Sequence, residues 1–239
     1  MKASVAAVAA VALVAALPAS APAAGQCIFE DEKANDENLD RVERSLVCRT
    51  NLHRLRTGVD PIQIDTRLMT AARAHSDDMV ARGFFTHLNP EGAGPAARAV
   101  AFGYPSGVGE NIASTFEGTA FELFDQWRRS PGHNENMLFP SYKAGGMGVS
   151  PHCCPAHGVP GITGTQILGV GPADTSDDGL DLYASSGKCA KAMERLIGKR
   201  QTRKRARKKN RRGKVRRLSE QIRKLKQDEK KRCKDPPGL

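Results

Sequence analysis

The fold is decided between Phe84 and Val149 by three motifs: Phe85-Thr86-His87, Gly109-Glu110-Asn111-Ile112 and Ser130-Pro131-Gly132-His133. The segment closes with Gly145-Gly146-Met147-Gly148-Val149. Glycine precedes the carboxylate, and a Pro-Gly pair precedes the second histidine. Side chains that Gly and Pro place at the edges of loops are where sites are commonly built. The sequence therefore predicts one site assembled from three separate segments.

These segments supply His87, Glu110 and His133, which form an N,N,O set of donors. Two imidazoles and one carboxylate can bind Zn²⁺ and leave a fourth position for water, and Ca²⁺ is a second candidate metal. A metal held in this way could polarise a carbonyl group or activate water. The alternative is that the three side chains hydrogen-bond to one another and hold the loops around a sheet.

No catalytic nucleophile is marked in the sequence. The serines close to the candidate site lack a nucleophile-elbow motif, and Ser130 is better explained as part of a turn. His75 lies on the apolar stripe of a helix and is expected in the core, whereas His152 and His157 are expected in an exposed loop. A serine or cysteine hydrolase is therefore not predicted.

Around the candidate site, the apolar spacing predicts three main helices and three strands. The helices are Arg41 to Arg56, Thr66 to Arg82 and Thr119 to Arg129, with a shorter one from Pro95 to Phe102. The strands are Glu110 to Ser114, Gly145 to Ser150 and Gly164 to Val170. Asp40 and Asp65 are the predicted caps of the first two helices, which end at Gly58 and Gly83. The aromatic residues are expected mainly in the core.

The N-terminal segment has the pattern of a secretory signal peptide. Lys2 precedes an apolar stretch from Val5 to Leu17, and Ala21-Pro22-Ala23 fits the cleavage pattern. We expect residues 1–23 to be removed and residues 24–40 to form an acidic N-terminal segment. An uncleaved anchor and a lipid attached at Cys27 are the alternatives. No later stretch is long and apolar enough to span a bilayer, so the expected location is extracellular or periplasmic.

Charge divides the chain into two parts. Residues 188–239 contain 23 Lys and Arg against 5 Asp and Glu, a balance of +18, which leaves −7 for the other residues within the total of +11. Helix-prone segments from Lys188 to Lys209 and from Lys214 to Lys234 flank a turn signal, which predicts a basic helical hairpin. A partly disordered tail is the alternative. Such a segment should bind anionic cell-surface polymers or lipid headgroups.

The six cysteines all follow the expected cleavage point, which favours disulfides in an exported chain. In the hairpin, Cys189 and Cys233 lie equally far from the turn, so we predict that they pair. Cys27 and Cys48 either pair with each other, beside a vicinal Cys153–Cys154 bridge, or each reach one of those two cysteines. We favour the second arrangement because vicinal bridges are strained.

The order of the motifs resembles a known family between Leu46 and Val170. Beyond the motifs already quoted, it includes Asn51-x-x-Arg54, Ala71 to His75, Gly103-Tyr104, Trp127 three residues before Ser130, and Asn136-Met137-Leu138. Together they resemble the bacterial branch of the CAP superfamily, named for cysteine-rich secretory proteins, antigen 5 and pathogenesis-related 1 proteins.

The resemblance implies a three-layer α-β-α sandwich over residues 41–187, in the α+β class, with an open central cleft. The family cleft typically carries two His and two acidic residues, and some members hold a divalent metal there. Some members have been linked to sterol or lipid binding, so an apolar groove for lipid is the alternative to a core position for the aromatic residues. His87, Glu110 and His133 match three family positions. The second glutamate and the last histidine of the eukaryotic form fall on Ser130 and Thr163, so the family tetrad is reduced to three groups.

Two functions follow as expectations. The first is an exported module that binds a small or lipidic ligand in its His/Glu cleft while the basic segment holds it near an anionic surface. The alternative is a metal-assisted hydrolase that uses His87, Glu110 and His133. The missing nucleophile and the reduced set of acidic and histidine residues favour the first.

Overall fold

The computed structural model describes residues 27–105, 107–153, 160–180 and 211–232, with isolated residues between 195 and 209. The described part contains α-helices and one four-stranded sheet, in the α+β class. The helices are α1 (Leu39–Thr57), α2 (Thr66–Arg82), α3 (Pro95–Ala101), α4 (Ala120–Arg129), α5 (Pro131–Leu138) and α6 (Arg212–Arg232). The strands are β1 (Gln63–Ile64), β2 (Val108–Thr115), β3 (Ala144–Ser150) and β4 (Ile162–Gly169).

The sheet has the order β1-β3-β4-β2, so β2 is an edge strand. β4 runs antiparallel to both of its neighbours, whereas β1 is parallel to β3. In this register Glu110 lies opposite Ile167 and Asn111 lies opposite Gln166. The Gly-Glu-Asn motif is therefore in the strand whose outer edge has no partner among the described residues.

Helices cover both faces of the sheet. On one face, Leu68 and Ala72 of α2 and Ala99 of α3 pack against Ala144 and Ile167. The opposite face buries a larger cluster, formed by side chains of α1, α4 and α5 with those of β3 and β4: Val42, Leu46, Val47, Leu123, Phe124, Trp127, Met137, Met147, Val149, Ile162 and Leu168. The predicted three-layer α-β-α sandwich is confirmed.

The glycines of β3 let α2 lie directly on the sheet. A Cβ atom at Gly148 would come within 1.9 Å of the backbone nitrogen of Arg73, and one at Gly146 within 2.1 Å of that of Met69. Contacts this short do not occur between real atoms, so only glycine fits at either position. The Gly-x-Gly pattern is thus explained by helix–sheet packing and not by a ligand.

Most of the predicted helix ends are confirmed. Asp65 accepts hydrogen bonds from the backbone of Arg67 and Leu68 at the start of α2, and α1 and α2 end at Gly58 and Gly83 in the left-handed conformation. The predicted cap at Asp40 is wrong, because α1 begins earlier and Asn38 is its N-cap residue. Asp40 lies instead in the first turn, where its charge still favours the helix dipole.

The favoured cysteine pairing is also wrong. Cys27 and Cys48 bond to each other and are both buried, with a sequence separation of 21 residues. Cys153 is disulfide-bonded as well. The predicted Cys189–Cys233 bond lies outside the described residues, as do the signal peptide and His157.

Helix α6 occupies the second arm of the predicted basic hairpin. Its apolar residue Ile222 is buried beside Cys27, Cys48 and Leu52, so this arm packs on α1. Of the first arm, the described residues are mostly helical, and Arg203 lies 3.7 Å from Asp60. Within the described ranges, no helix has the length and apolar character needed to cross a membrane.

Candidate functional site

Glu110 of β2 is the centre of the candidate site. Its side chain is only 1% exposed, yet both carboxylate oxygens have partners. His87 donates through Nδ1 to Oε1 at 2.8 Å, and Arg98 of α3 donates through Nη2 to Oε2 at 2.6 Å. A buried carboxylate needs such partners because desolvation of an unpaired charge is costly. The predicted pair of His87 and Glu110 is therefore brought together by the fold.

Arg98 also fixes the loop that carries His87. Its Nη1 donates to the carbonyl oxygens of His87 at 3.0 Å and of Ala93 at 2.7 Å. His87 is half exposed, and its Nδ1 is occupied by Glu110. A bond at Nδ1 sets the ring orientation and directs Nε2 away from the carboxylate. This geometry suits a histidine that meets a ligand or exchanges a proton through Nε2.

His75 of α2 lies beneath this pair and is buried, as predicted. Its Nε2 lies 3.1 Å from the carbonyl oxygen of Thr86 and 3.9 Å from Oε1 of Glu110. Because a carbonyl only accepts, Nε2 carries the proton and donates it. Burial, with a smaller contribution from the nearby Arg98 guanidinium, lowers the pKa of His75 to about 4. His75 is thus neutral at pH 7 and supports the backbone beside His87.

His133 lies on the other flank of β2. It is in the first turns of α5, a helix that begins with Pro131 after the N-cap residue Ser130. Pro is favoured at this position because its missing N–H would be unpaired there anyway. Partial burial, and secondarily the nearby His87, lower the pKa of His133. His133 therefore faces the cleft as a neutral imidazole at pH 7, without a direct bond to Glu110 among the described contacts.

A chain of amide groups holds α5 against the sheet. Asn111 donates through Nδ2 to the carbonyl oxygen of His133 at 3.1 Å and to Oε1 of Gln166 at 2.8 Å. Asn136 donates to Oδ1 of Asn111 at 2.9 Å, and Gln166 in turn donates to Thr50 of α1 at 3.1 Å. Because these groups are mostly buried and mutually satisfied, the network fixes the position of the His133 backbone.

An apolar cavity of about 640 Å³ lies beside His133. Its walls include Phe85, Ile112 and Trp127. Polar groups at its margin come from β2, α4 and the start of α5: Ser114, Gln126, Arg129, Ser130 and His133. Phe85 is 44% exposed and contributes an apolar ring next to the segment that carries His87. A cavity of this size and lining can enclose the apolar part of a small ligand.

The three predicted metal ligands do not fit a metal site in this arrangement. Among the residues that the structure describes, no group of three or more His, Cys, Asp or Glu side chains could hold a metal ion. Both oxygens of Glu110 accept hydrogen bonds, one from His87 and one from Arg98. Zinc or calcium binding stays a prediction.

The sequence did not predict the role of Arg98 or the exposure of Phe85 in the site. Arg98 was not identified, although a single cation in the alanine-rich stretch from Pro95 to Ala101 signals a buried ion pair. The expectation that the aromatic residues lie mainly in the core fails for Phe85, whose ring is 44% exposed beside the cavity, and for Phe102, which is 39% exposed. Thr163, which replaces the last family histidine, is buried and bonds to Ser114 at 2.9 Å.

Two features define the class of domain. One is a four-stranded sheet between helical layers, and the other is a buried glutamate on the edge strand that accepts a hydrogen bond from a histidine. Residues 47–161 match the family model of CAP, the cysteine-rich secretory protein family. The uncharacterized protein YkwD of Bacillus subtilis (strain 168) is 36% identical over 107 residues, which cover 44% of this chain and 41% of YkwD. Over these residues the chain is therefore similar to the CAP family.

Two solved structures show similarity to the chain. One is an extracellular protein containing an SCP domain from Bacillus anthracis str. Ames, with a TM-score of 0.47, 21% identity, and coverage of 57% of this chain and 44% of that chain. The other is an outer surface protein from Borrelia burgdorferi, with a TM-score of 0.48, 16% identity, and coverage of 58% of this chain and 97% of that chain. The chain spans about two fifths of the length of YkwD and of the Bacillus anthracis protein.

Proposed function

We propose that this CAP-domain protein is an exported binding module that takes a small amphipathic or lipidic ligand in the cavity beside His133. The observation that carries this proposal is the apolar cavity of about 640 Å³, walled by Phe85, Ile112 and Trp127. An acyl chain or comparable apolar group would lie against these side chains. Its polar head would lie at the margin, where His133 and Arg129 offer hydrogen-bond donors.

The basic C-terminal segment has a separate part in this function. With +18 net charge against −7 in the other residues, it should hold the protein near an anionic surface while the cavity stays accessible. The two activities then depend on different residues and can be measured independently.

Trp127 provides the test because it is the only tryptophan in the chain and lines the cavity. Oleate, added below its critical micelle concentration, should change the fluorescence of Trp127 in a saturable way. Phe85→Ala removes apolar wall area and should weaken binding about tenfold, since burial of a large apolar side chain contributes about 1.5–3 kcal/mol and this one is half exposed. No saturable change with oleate or other acyl ligands would refute the proposal.

Phe116→Ala is the matched control. Phe116 is 70% exposed and does not line the cavity, so the same loss of a benzyl group should leave oleate affinity unchanged. Equal weakening by both substitutions would show that the binding is non-specific adsorption to exposed rings.

A second candidate function, hydrolysis, is favoured by the pairing of His87 with Glu110. A histidine held through Nδ1 by a buried carboxylate, with Nε2 left available, is arranged to accept a proton from water or a substrate. We expect any hydrolytic turnover to be lost in His87→Ala and in His87→Gln. Turnover that persists in both variants would exclude this role for His87.

Elemental analysis separates the metal-assisted form of this alternative from the metal-free one. The wild type and the His87→Ala/His133→Ala double variant are compared for bound zinc and calcium. Stoichiometric metal in the wild type that is lost in the variant would establish a metal site and require the Glu110 carboxylate to exchange its present partners.

A further inference from the structure

Helix α6 is attached to the folded body by its apolar stripe. Leu218, Ile222 and Leu225 recur at helical spacing and so lie on one face. Leu218 and Ile222 are 5% and 4% exposed, and Ile222 packs beside the Cys27–Cys48 disulfide, with Leu225 partly buried against the same cluster. The most apolar face of the most basic helix is therefore covered by protein.

This arrangement bears on what α6 can bind. A helix that lies in a membrane interface buries its apolar face among the lipid chains and keeps its charged face in water. In α6 the apolar face already contacts α1 and the disulfide, so insertion would require the helix to leave the body. α6 therefore exposes its charged face to solvent, while its apolar face attaches the helix to the body.

The exposed face of α6 is densely cationic. Between residues 211 and 224 the exposed cations are Arg211, Arg212, Lys214, Arg216, Arg217, Arg223 and Lys224. Glu220 is the one acidic residue in that stretch. At 1.5 Å per residue the stretch covers about 20 Å, which is longer than a single small anion.

Arg212, Arg216 and Arg223 form a row on one flank of this face. Positions four and eleven residues after the first fall within about 40° of one another on a helix with 3.6 residues per turn. Guanidinium groups bind phosphate through paired N–H donors, which is why arginine is preferred where phosphate is recognised. A row of such groups matches a chain of repeated phosphates better than isolated charges.

We propose that the exposed cationic face of α6 binds a linear polymer of phosphate groups, and that it does so while the helix stays docked on the body and does not insert into a bilayer. Residues 1–187 carry a net charge of −7 and therefore repel such a polymer, so its binding is confined to the basic face. This inference specifies the anionic partner in the proposed function, but it does not depend on a ligand in the cavity.

The test uses the full secreted chain and three probes: linear polyphosphate, poly-glutamate and vesicles of phosphatidylcholine with phosphatidylglycerol. Binding is measured over a range of salt concentrations. Arg216→Gln/Arg223→Gln should lower polyphosphate affinity about tenfold or more at low salt and reduce the slope of log K against log salt by about two. Gln replaces Arg with little change in helix propensity.

Lys33→Gln/Lys143→Gln is the matched control, because it removes the same charge from two exposed lysines of the body. It should leave both the affinity and the salt slope nearly unchanged. Equal effects of the two double variants would show that only net charge matters and would overturn the assignment to α6.

The other two probes decide the class of partner. Poly-glutamate affinity equal to that for polyphosphate would overturn the preference for phosphate. Vesicle binding that exceeds polyphosphate binding and is lost in Ile222→Asp would overturn the docked helix, since it would require the apolar stripe to enter the lipid. Oleate titration of Trp127 is run in parallel, so failure at the cavity and failure at α6 are distinguishable.

Discussion

Replacing Arg98 by methionine should destabilise the whole domain, because Arg98 is the counter-ion of a buried glutamate. The substitution removes the 2.6 Å bond to Glu110 and the two bonds to the carbonyl oxygens of His87 and Ala93. Arg98 and Glu110 are 9% and 1% exposed in their side chains, so water cannot readily replace the guanidinium. Methionine keeps much of the side-chain length and is a comparable helix former.

The expected loss of unfolding free energy follows from the buried Glu110 charge that the substitution leaves without its cation. Removing one partner of a buried ion pair costs roughly 3–5 kcal/mol, because the remaining charge is buried without compensation. Here His87 still donates to the other oxygen of Glu110 and borders on solvent, which places the expected loss near the lower end, at about 3 kcal/mol. The Arg98→Met/Glu110→Gln double variant should recover about 1–2 kcal/mol of it, since it removes the stranded charge.

Urea unfolding followed by Trp127 fluorescence measures this free energy. A loss below about 1 kcal/mol for Arg98→Met, or no coupling with Glu110→Gln, would refute this account of the site.

Three further predictions concern other parts of the fold. Gly148→Ala should lower the free energy of unfolding in urea by about 3 kcal/mol or more, because its Cβ has no room against the backbone of α2. Gly132→Ala is the control: a Cβ there has no atom within 4 Å, so this change should be neutral or slightly stabilising. Burial lowers the pKa of His75 from 6.5 to about 4, so the free energy of unfolding should fall by up to roughly 3 kcal/mol as the pH drops from 6.5 toward 4. His75→Gln should flatten this pH dependence. A pH profile that is the same in the wild type and the variant would contradict the burial argument. Cys27→Ala/Cys48→Ala opens a loop with a sequence separation of 21 residues and should lower the free energy of unfolding by about 3 kcal/mol. Protease cleavage in α6 should increase, because the helix packs on this disulfide. Unaltered cleavage would contradict docking of α6 on the disulfide.

The parts of the fold that could be predicted are those that depend on neighbours in sequence. The stripe of α2, its cap at Asp65 and the glycines that end α1 and α2 are local signals, and the structure confirms each of them. The helix α5 was not predicted, because it is short, buries only Met137 and begins at a Pro-Gly pair that also fits a turn. β1 is not among the predicted strands, since two residues form a strand only when a partner such as β3 is present.

The site was predicted in its residues but not in its geometry. His87, Glu110 and His133 were treated as three donors to one centre, and no local signal places them on different sides of a strand. The sequence does not predict the role of Arg98, because that role depends on the burial of Glu110, which is seen only in the packed structure. The cysteine pairing failed for a similar reason, since the chain returns Cys27 to α1 through contacts made by neighbouring residues of the N-terminal segment.

The alternation of β2 explains why the motif Gly109-Glu110-Asn111 gives two half-sites. Successive side chains in a strand point to opposite faces. Glu110 therefore points toward α2 and α3, where it fixes His87, and Asn111 points toward α1 and α5, where it fixes the backbone of His133.

The neighbouring strand requires the same register. Ile167, opposite Glu110, packs against α2, whereas Gln166, opposite Asn111, bonds to α1. A slip of one residue would reverse both half-sites at once and bury the carboxylate among the amides. The segments of the two histidines are therefore held from opposite faces of β2, and a ligand that contacts both must approach the edge of that strand, where Ile112 and Phe85 line the cavity.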